Sequence, residues 1–177
     1  MGSKYFSPTL KAFVNREYED AKSDLYACFM RCNVALAKVN GFVGMLTIPN
    51  WMFLSSFQEL RKSLFDHQTI DTFIHNGRGV FGSDFGSCAF AFRNTSLFAH
   101  RGSYRRLFDK QGSVASNEEL EERFHTAKTY TPSNSDFAKI PGSPVAYWVK
   151  GLDNFAKGTL SSSAESGGRF KTHNDEK

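Results

Sequence analysis

Three short apolar runs in this chain each stop at residues of a different kind. Phe42 to Ile48 ends at Pro49-Asn50-Trp51. Ile70 to Ile74 leads into the turn Gly77-Arg78-Gly79-Val80-Phe81-Gly82, and Cys88 to Phe92 ends at Arg93-Asn94. If the runs are strands, these positions are strand ends, where open α/β sheets place their ligand sites. Asn50 and Trp51 can shape a pocket there, or simply terminate a strand. A second group is basic: Arg101, Arg105, Arg106 and Lys110, interleaved with Tyr104 and Phe108. These cations suit the phosphates of a nucleic acid, and a solvated basic face explains them equally well.

Other chemistry finds little support. His67, His75, His100, His125 and His173 are scattered without metal-ligand spacing. Cys28 and Cys32 stand four apart on an expected helix, but no nearby Cys or His pair completes a metal site, so they read as small buried hydrophobes. Gly77-x-Gly79-x-x-Gly82 has the glycine spacing of a dinucleotide loop. It precedes a strand rather than a helix, which removes the helix N-terminus that such a loop needs.

The elements that position these residues follow from periodicity and breakers. Ser7 and Pro8 are a cap and a first helical residue for a short helix. A second helix starts at Ser23 or Asp24. Apolar residues at 25, 29, 32, 36 and 39 give it a helical stripe, and Asn40-Gly41 stops it. The continuous run Phe42 to Ile48 predicts a strand buried on both faces. Met52 to Phe65 predicts an amphipathic helix, with Phe53, Phe57, Leu60 and Leu64 inward and Gln58, Glu59, Arg61 and Lys62 outward. The short loop between the runs at 70–74 and 88–92 makes them antiparallel neighbours, because it leaves no room for a crossover. Ser116 caps an acidic helix over 117–128, and a further helix with Tyr147 and Trp148 is expected within 143–154.

Composition bounds the class. The 177 residues suit one ordinary domain, and 15% aromatic content with eighteen Phe supplies a core. A net charge of +4 permits a nucleic-acid partner without requiring one. Three cysteines form no disulfide framework, which makes a reducing cytoplasm the default expectation. No apolar run reaches the length of about 20 residues that spans a bilayer, and no membrane partner is expected.

The segments TIPNWMFLSSFQELRKSLF and GRGVFGSDFGSCAFAF resemble adenine-specific DNA methyltransferases. The resemblance is to the PglX type of BREX phage-exclusion systems, related to the Eco57I and TaqI groups, and covers residues 1 to about 150. It implies transfer of a methyl group from S-adenosylmethionine to the exocyclic amine of an adenine flipped out of double-stranded DNA. By motif position it implies that Phe81 stacks on the flipped base, that Asn50 and Trp51 border its pocket, and that Phe29 packs near the cofactor. Read without the resemblance, Phe81 is a loop anchor and Phe29 a core aromatic. The family's glycine-bearing cofactor loop and its Asn-Pro-Pro-Tyr motif do not occur in the 177 residues. The chain is therefore expected to begin just downstream of the catalytic motif, and both of its ends look cut.

The resulting expectation is an α/β fold: the C-terminal half of a Rossmann-like methyltransferase sheet, incomplete. Residues 1–95 would form that half, 96–158 a helical and basic extension, and 159–177 a flexible entry to a target-recognition region. The expected partners are double-stranded DNA and either an upstream half of the enzyme or other phage-exclusion proteins. The alternative is a non-catalytic remnant that binds DNA or protein.

Overall fold

Local chemistry sets the helix boundaries. Ser7 accepts a hydrogen bond from the Leu10 amide at 3.2 Å and Pro8 opens α1 (Pro8–Glu17). Asp24 caps α2 (Leu25–Leu36) by accepting from the Tyr26 amide. The computed structural model describes residues 1–80, 85–108 and 116–158 of the chain.

The stripe expected on α2 is not its buried face. Ala27, Cys28, Met30 and Val34 pack inward, whereas Phe29 is 54% exposed and Leu36 and Val39 are each 79% exposed. Both sets have helical spacing, so periodicity alone cannot choose between them. The smaller side chains let α2 approach the core closely. The helix also stops at Leu36, before Asn40-Gly41, with an extended Ala37 after it. The Asn94 side-chain amide donates to the carbonyls of Val34 at 3.2 Å and Ala37 at 2.9 Å, satisfying groups that the helix end leaves free.

Five strands form one mixed sheet: β1 (Phe42–Thr47), β2 (Thr69–Gly77), β3 (Ser87–Arg93), β4 (Ser103–Arg106) and β5 (Thr129–Tyr130), in the order β1-β3-β2-β4-β5. β2 and β3 are antiparallel neighbours as expected, with Phe73 opposite Phe90. β3 also pairs antiparallel with β1, with Met45 opposite Phe90. β1 and β2 therefore run parallel on either side of β3. β1 is not buried on both faces. Val43 and Thr47 are buried while Phe42 and Leu46 are about half exposed, and its outer edge pairs with no other strand among the described residues.

The segment 96–158 is not simply helical. β4 pairs parallel with β2 and β5 pairs antiparallel with β4, so the segment lengthens the sheet. It also sends Tyr104, Phe137, Val145 and Tyr147 into the common core. α4 (Asn117–Thr126) is capped by Ser116, which accepts from the Glu119 amide. α5 (Asn134–Ala138) starts at a capping box of Ser133 and Asp136. The helix expected over 143–154 is reduced to one 3₁₀ turn, Leu152–Ala156. Gly142 and Ser143 both have positive φ, 78° and 47°, and Gly151 has φ 69°, none of which a helix can contain.

Between β1 and β2 the expected helix from Met52 is shorter. Two 3₁₀ turns, Pro49–Met52 and Ser55–Phe57, precede α3 (Gln58–His67). The reason is Arg61, expected outward but 1% exposed. Its guanidinium donates to the carbonyls of Trp51 and Leu54 at 2.8 Å and to those of Gly142 and Ser143. Carbonyls that a continuous helix would have consumed are held by this one side chain. Phe57, Leu60 and Leu64 do face inward, while Phe53 is 40% exposed.

Candidate substrate pocket

Trp51 closes the end of β1. Its relative exposure is 0%, and its ring meets Phe90 edge-on at 5.3 Å, with Phe73 and Phe92 at 6.2 and 6.0 Å. The indole N–H donates to Thr47 Oγ1 at 3.2 Å, which leaves no polar atom of a buried Trp unpaired. Trp51 anchors the turn that presents its neighbours Pro49 and Asn50, and its own ring packs into the core.

Pro49 and Asn50 border a cavity of about 480 Å³. Ile48, Phe53 and Pro49-Asn50 come from the β1 end, and His75, Gly77 and Arg78 from the end of β2. Phe85 and Gly86 precede β3, while Arg106, Phe108 and Trp148 close the far wall. The strand-end location is the one expected from the sequence. Phe81 lies outside the described residues.

The floor of the pocket depends on Gly77. Its φ is 87°, and a Cβ there would stand 2.8 Å from Cδ1 of Phe108. A register shift between His75 and Gly77 re-aims the end of β2 at this point. His75 is buried, and its ring meets Phe108 edge-on at 4.8 Å. Its Nδ1 lies 3.3 Å from the Tyr147 hydroxyl. Burial, helped by the nearby Arg106 charge, lowers its pKa to about 4, so the ring is neutral at physiological pH. A neutral imidazole and an amide at Asn50 give the aromatic walls polar, uncharged partners for a flat hydrogen-bonding ligand.

The basic group does not lie on one face. Alternation along β4 points Tyr104 and Arg106 one way and Arg105 the other. Arg105 donates to the Phe124 carbonyl at 2.9 Å and lies over the Phe124 ring. Arg101 donates to the Thr131 carbonyl and approaches Asp136 at 3.9 Å. Arg106 alone of these lines the pocket. Lys110 lies outside the described residues.

Phe29 presents an exposed ring on α2 and is not among the residues lining the pocket. One open aromatic face does not enclose S-adenosylmethionine, so the described residues do not by themselves fit that cofactor. Cys28 and Cys88 are buried thiols with pKa values raised to about 11 by desolvation, which keeps them protonated. His75, Phe108 and Trp148 were not singled out from the sequence as site residues. His75 directly follows the apolar run Ile70 to Ile74, and that strand-end position is the signal the sequence offers.

Comparisons with known proteins agree on a family. The model described as Eco57I restriction-modification methylase matches residues 1–81. The adenine-specific methyltransferase BrxX of Escherichia coli O9:H4 (strain HS) is 38% identical over 158 residues, which is 84% of this chain and 12% of that protein. The adenine-specific methyltransferase PglX of Lacticaseibacillus casei (strain Zhang) is 36% identical over 160 residues, 84% of this chain and 13% of its own length. The chain thus spans a small part of either relative. In structure it is similar to the methyltransferase subunit of a type I restriction-modification system from Streptococcus thermophilus, with a TM-score of 0.57, 12% identity, and coverage of 77% of this chain and 33% of that one. A modification subunit of a putative type I restriction enzyme from Vibrio vulnificus YJ016 gives 0.56 at 14% identity, covering 83% and 35%. These likenesses show the fold: an incomplete Rossmann-like methyltransferase sheet.

Proposed function

We propose, for a chain that belongs to the adenine-specific methyltransferases of the PglX type, that its strand-end pocket receives an adenine flipped out of double-stranded DNA. The observation that carries this reading is the pocket itself. Its walls are aromatic (Phe53, Phe85, Phe108 and Trp148), Asn50 and His75 supply uncharged polar groups, and the cations Arg78 and Arg106 share the lining. A flipped base needs π surface to replace lost stacking and neutral partners for its edge. Phe81 would add the stacking face, and Arg101, Arg105 and Lys110 would meet the DNA backbone.

S-adenosylmethionine would supply the methyl group for the adenine amine. The residues that enclose it, and those that orient the amine, would come from an upstream half of the catalytic domain, with Phe29 offering one wall. The open edge of β1 and the exposed Phe29, Leu36, Phe42 and Leu46 support such docking. The same surface favours a second reading, in which the chain is a non-catalytic module that binds a protein partner or DNA.

One experiment separates the two. The purified chain is mixed with labelled S-adenosylmethionine and unmethylated DNA, alone and with the separately expressed upstream half of a PglX-type enzyme. The enzyme reading expects no transfer by the chain alone, because reactants that are not positioned do not react at an enzymic rate. It expects transfer with both halves. Phe81→Ala should lower that transfer more for a paired adenine than for one opposite an abasic site, and Phe81→Trp should preserve it. Stable association of the halves without transfer would favour the non-catalytic module.

A further inference from the structure

Arg106 is placed differently from most of the other arginines among the described residues. Its guanidinium lies 4.4 Å from the ring centre of Phe108 and 5.5 Å from that of Trp148. Both rings line the pocket, as does Arg106. Arg16, Arg31, Arg93, Arg101 and Arg123 each have a carboxylate within ion-pair distance, and Arg61 and Arg105 spend N–H groups on backbone carbonyls. Arg106 has neither kind of partner among the described residues. Its Nε is buried without a hydrogen bond, and no Asp or Glu among the described residues lines the cavity.

A guanidinium held by ring contacts has its donors directed outward in its own plane. That edge presents parallel N–H groups, which match two oxygens of a phosphate as a fork. A carboxylate would normally neutralise a cation held this way, and none is supplied from the described pocket. Neighbouring His75 stays neutral, while Arg78 adds a second positive charge at the exposed rim. The pocket therefore combines aromatic walls for a base with an uncompensated planar cation for an anion.

We propose that Arg106 is a clamp for a phosphate of the nucleotide whose base occupies the pocket, so that the site recognises a nucleotide rather than a bare base. The clamp rests on the base-pocket reading above and deepens it. It makes Arg106 a positioning residue. By fixing the phosphate it would fix the depth and angle at which the flipped ring enters, whereas a backbone contact elsewhere on the duplex would only add affinity.

The test uses the 177-residue chain with deoxyadenosine, deoxyadenosine 5′-monophosphate and inorganic phosphate, read by Trp148 fluorescence. Trp51 is fully buried and provides a constant background. The nucleotide should bind roughly ten- to a hundredfold more tightly than the nucleoside, as a charge-assisted hydrogen-bonded pair implies. Arg106→Gln should abolish that preference, so that nucleotide and nucleoside bind equally within about twofold. Arg106→Lys, which keeps the charge and loses the fork, should retain only part of it. If Arg106→Gln fails to fold by its melting curve, the lysine variant carries the decision, and full retention of the preference there overturns the clamp.

Equal binding of nucleoside and nucleotide by the unaltered chain overturns the clamp and leaves the base pocket standing. Binding of inorganic phosphate without any binding of deoxyadenosine overturns both the nucleotide clamp and the base pocket, leaving a bare anion site. No binding of any of the three ligands overturns both as well.

Discussion

Arg61 on α3 donates through Nη1 to the carbonyl of Trp51 at 2.8 Å. One residue is thereby tied to the turn that ends β1, and the same guanidinium holds the Gly142 carbonyl at 2.7 Å from the opposite side. The pocket residues Asn50 and Phe53 flank or follow Trp51 in that turn. Trp148 follows the 142–144 turn. A buried cation with no ion-pair partner among the described residues therefore fixes two walls of the pocket relative to each other.

Replacing Arg61 should consequently be severe. Arg61→Met would take the side-chain donor from the carbonyls of Trp51 and Gly142, and the expected loss is about 3 kcal/mol or more. Arg61→Lys should rescue little, because a single ammonium cannot reach carbonyls on both sides. Urea unfolding of the two variants, followed by circular dichroism, measures this. A loss under about 1 kcal/mol for Arg61→Met would show that the turns hold themselves.

His75 gives the stability a pH dependence. Its folded pKa of about 4 lies below the ordinary value of 6.5. Above pH 6.5 the ring is neutral in both states and contributes no dependence. Between 6.5 and 4 the unfolded chain takes up a proton that the folded one refuses, so stability falls as pH falls. The slope approaches about 1.4 kcal/mol per pH unit. His75→Gln should remove this component. Melting curves from pH 7 to 4.5 should be correspondingly flatter for the variant, and parallel curves would count against a neutral buried His75.

Asn94 ties the end of β3 to the end of α2. Its side chain donates to Val34 and Ala37 and accepts from Gln68 Nε2 at 3.2 Å. Asn94→Ala should cost about 1–3 kcal/mol, since carbonyls at the helix end lose their partner. Hydrogen exchange should show the last turn of α2 opening before the sheet. Uniform exchange across α2 in the variant would contradict the capping role.

The outer edge of β1 should associate. An unpaired edge beside the half-exposed Phe42 and Leu46 is a template for another strand. Sedimentation should show the chain alone self-associating with rising concentration. Leu46→Lys should suppress this without lowering the melting temperature. A monodisperse monomer at high concentration would remove the support this surface gives to docking.

Much of this protein is legible in its sequence, for local reasons. Ser7-Pro8, Asp24 and Ser116 mark helix starts because capping is decided by a residue and the amides just after it. The hairpin of β2 and β3 follows from a loop too short to cross over. The strand-end location of the pocket follows from where the apolar runs stop, and the family from two motifs in order. What the sequence could not decide depends on contacts between residues distant in the chain. Periodicity gives α2 two apolar faces, and only packing against the core selects the one with Ala27, Cys28, Met30 and Val34. Arg61 reads as a solvent-facing residue because the carbonyls that bury it lie at Trp51, Leu54 and 142–143. Arg101, Arg105 and Arg106 read as one cluster until β4 turns Arg105 and Arg106 onto opposite faces. His75, Arg106, Phe108 and Trp148 come from three segments up to 73 positions apart in numbering, and only the completed sheet brings them around one cavity.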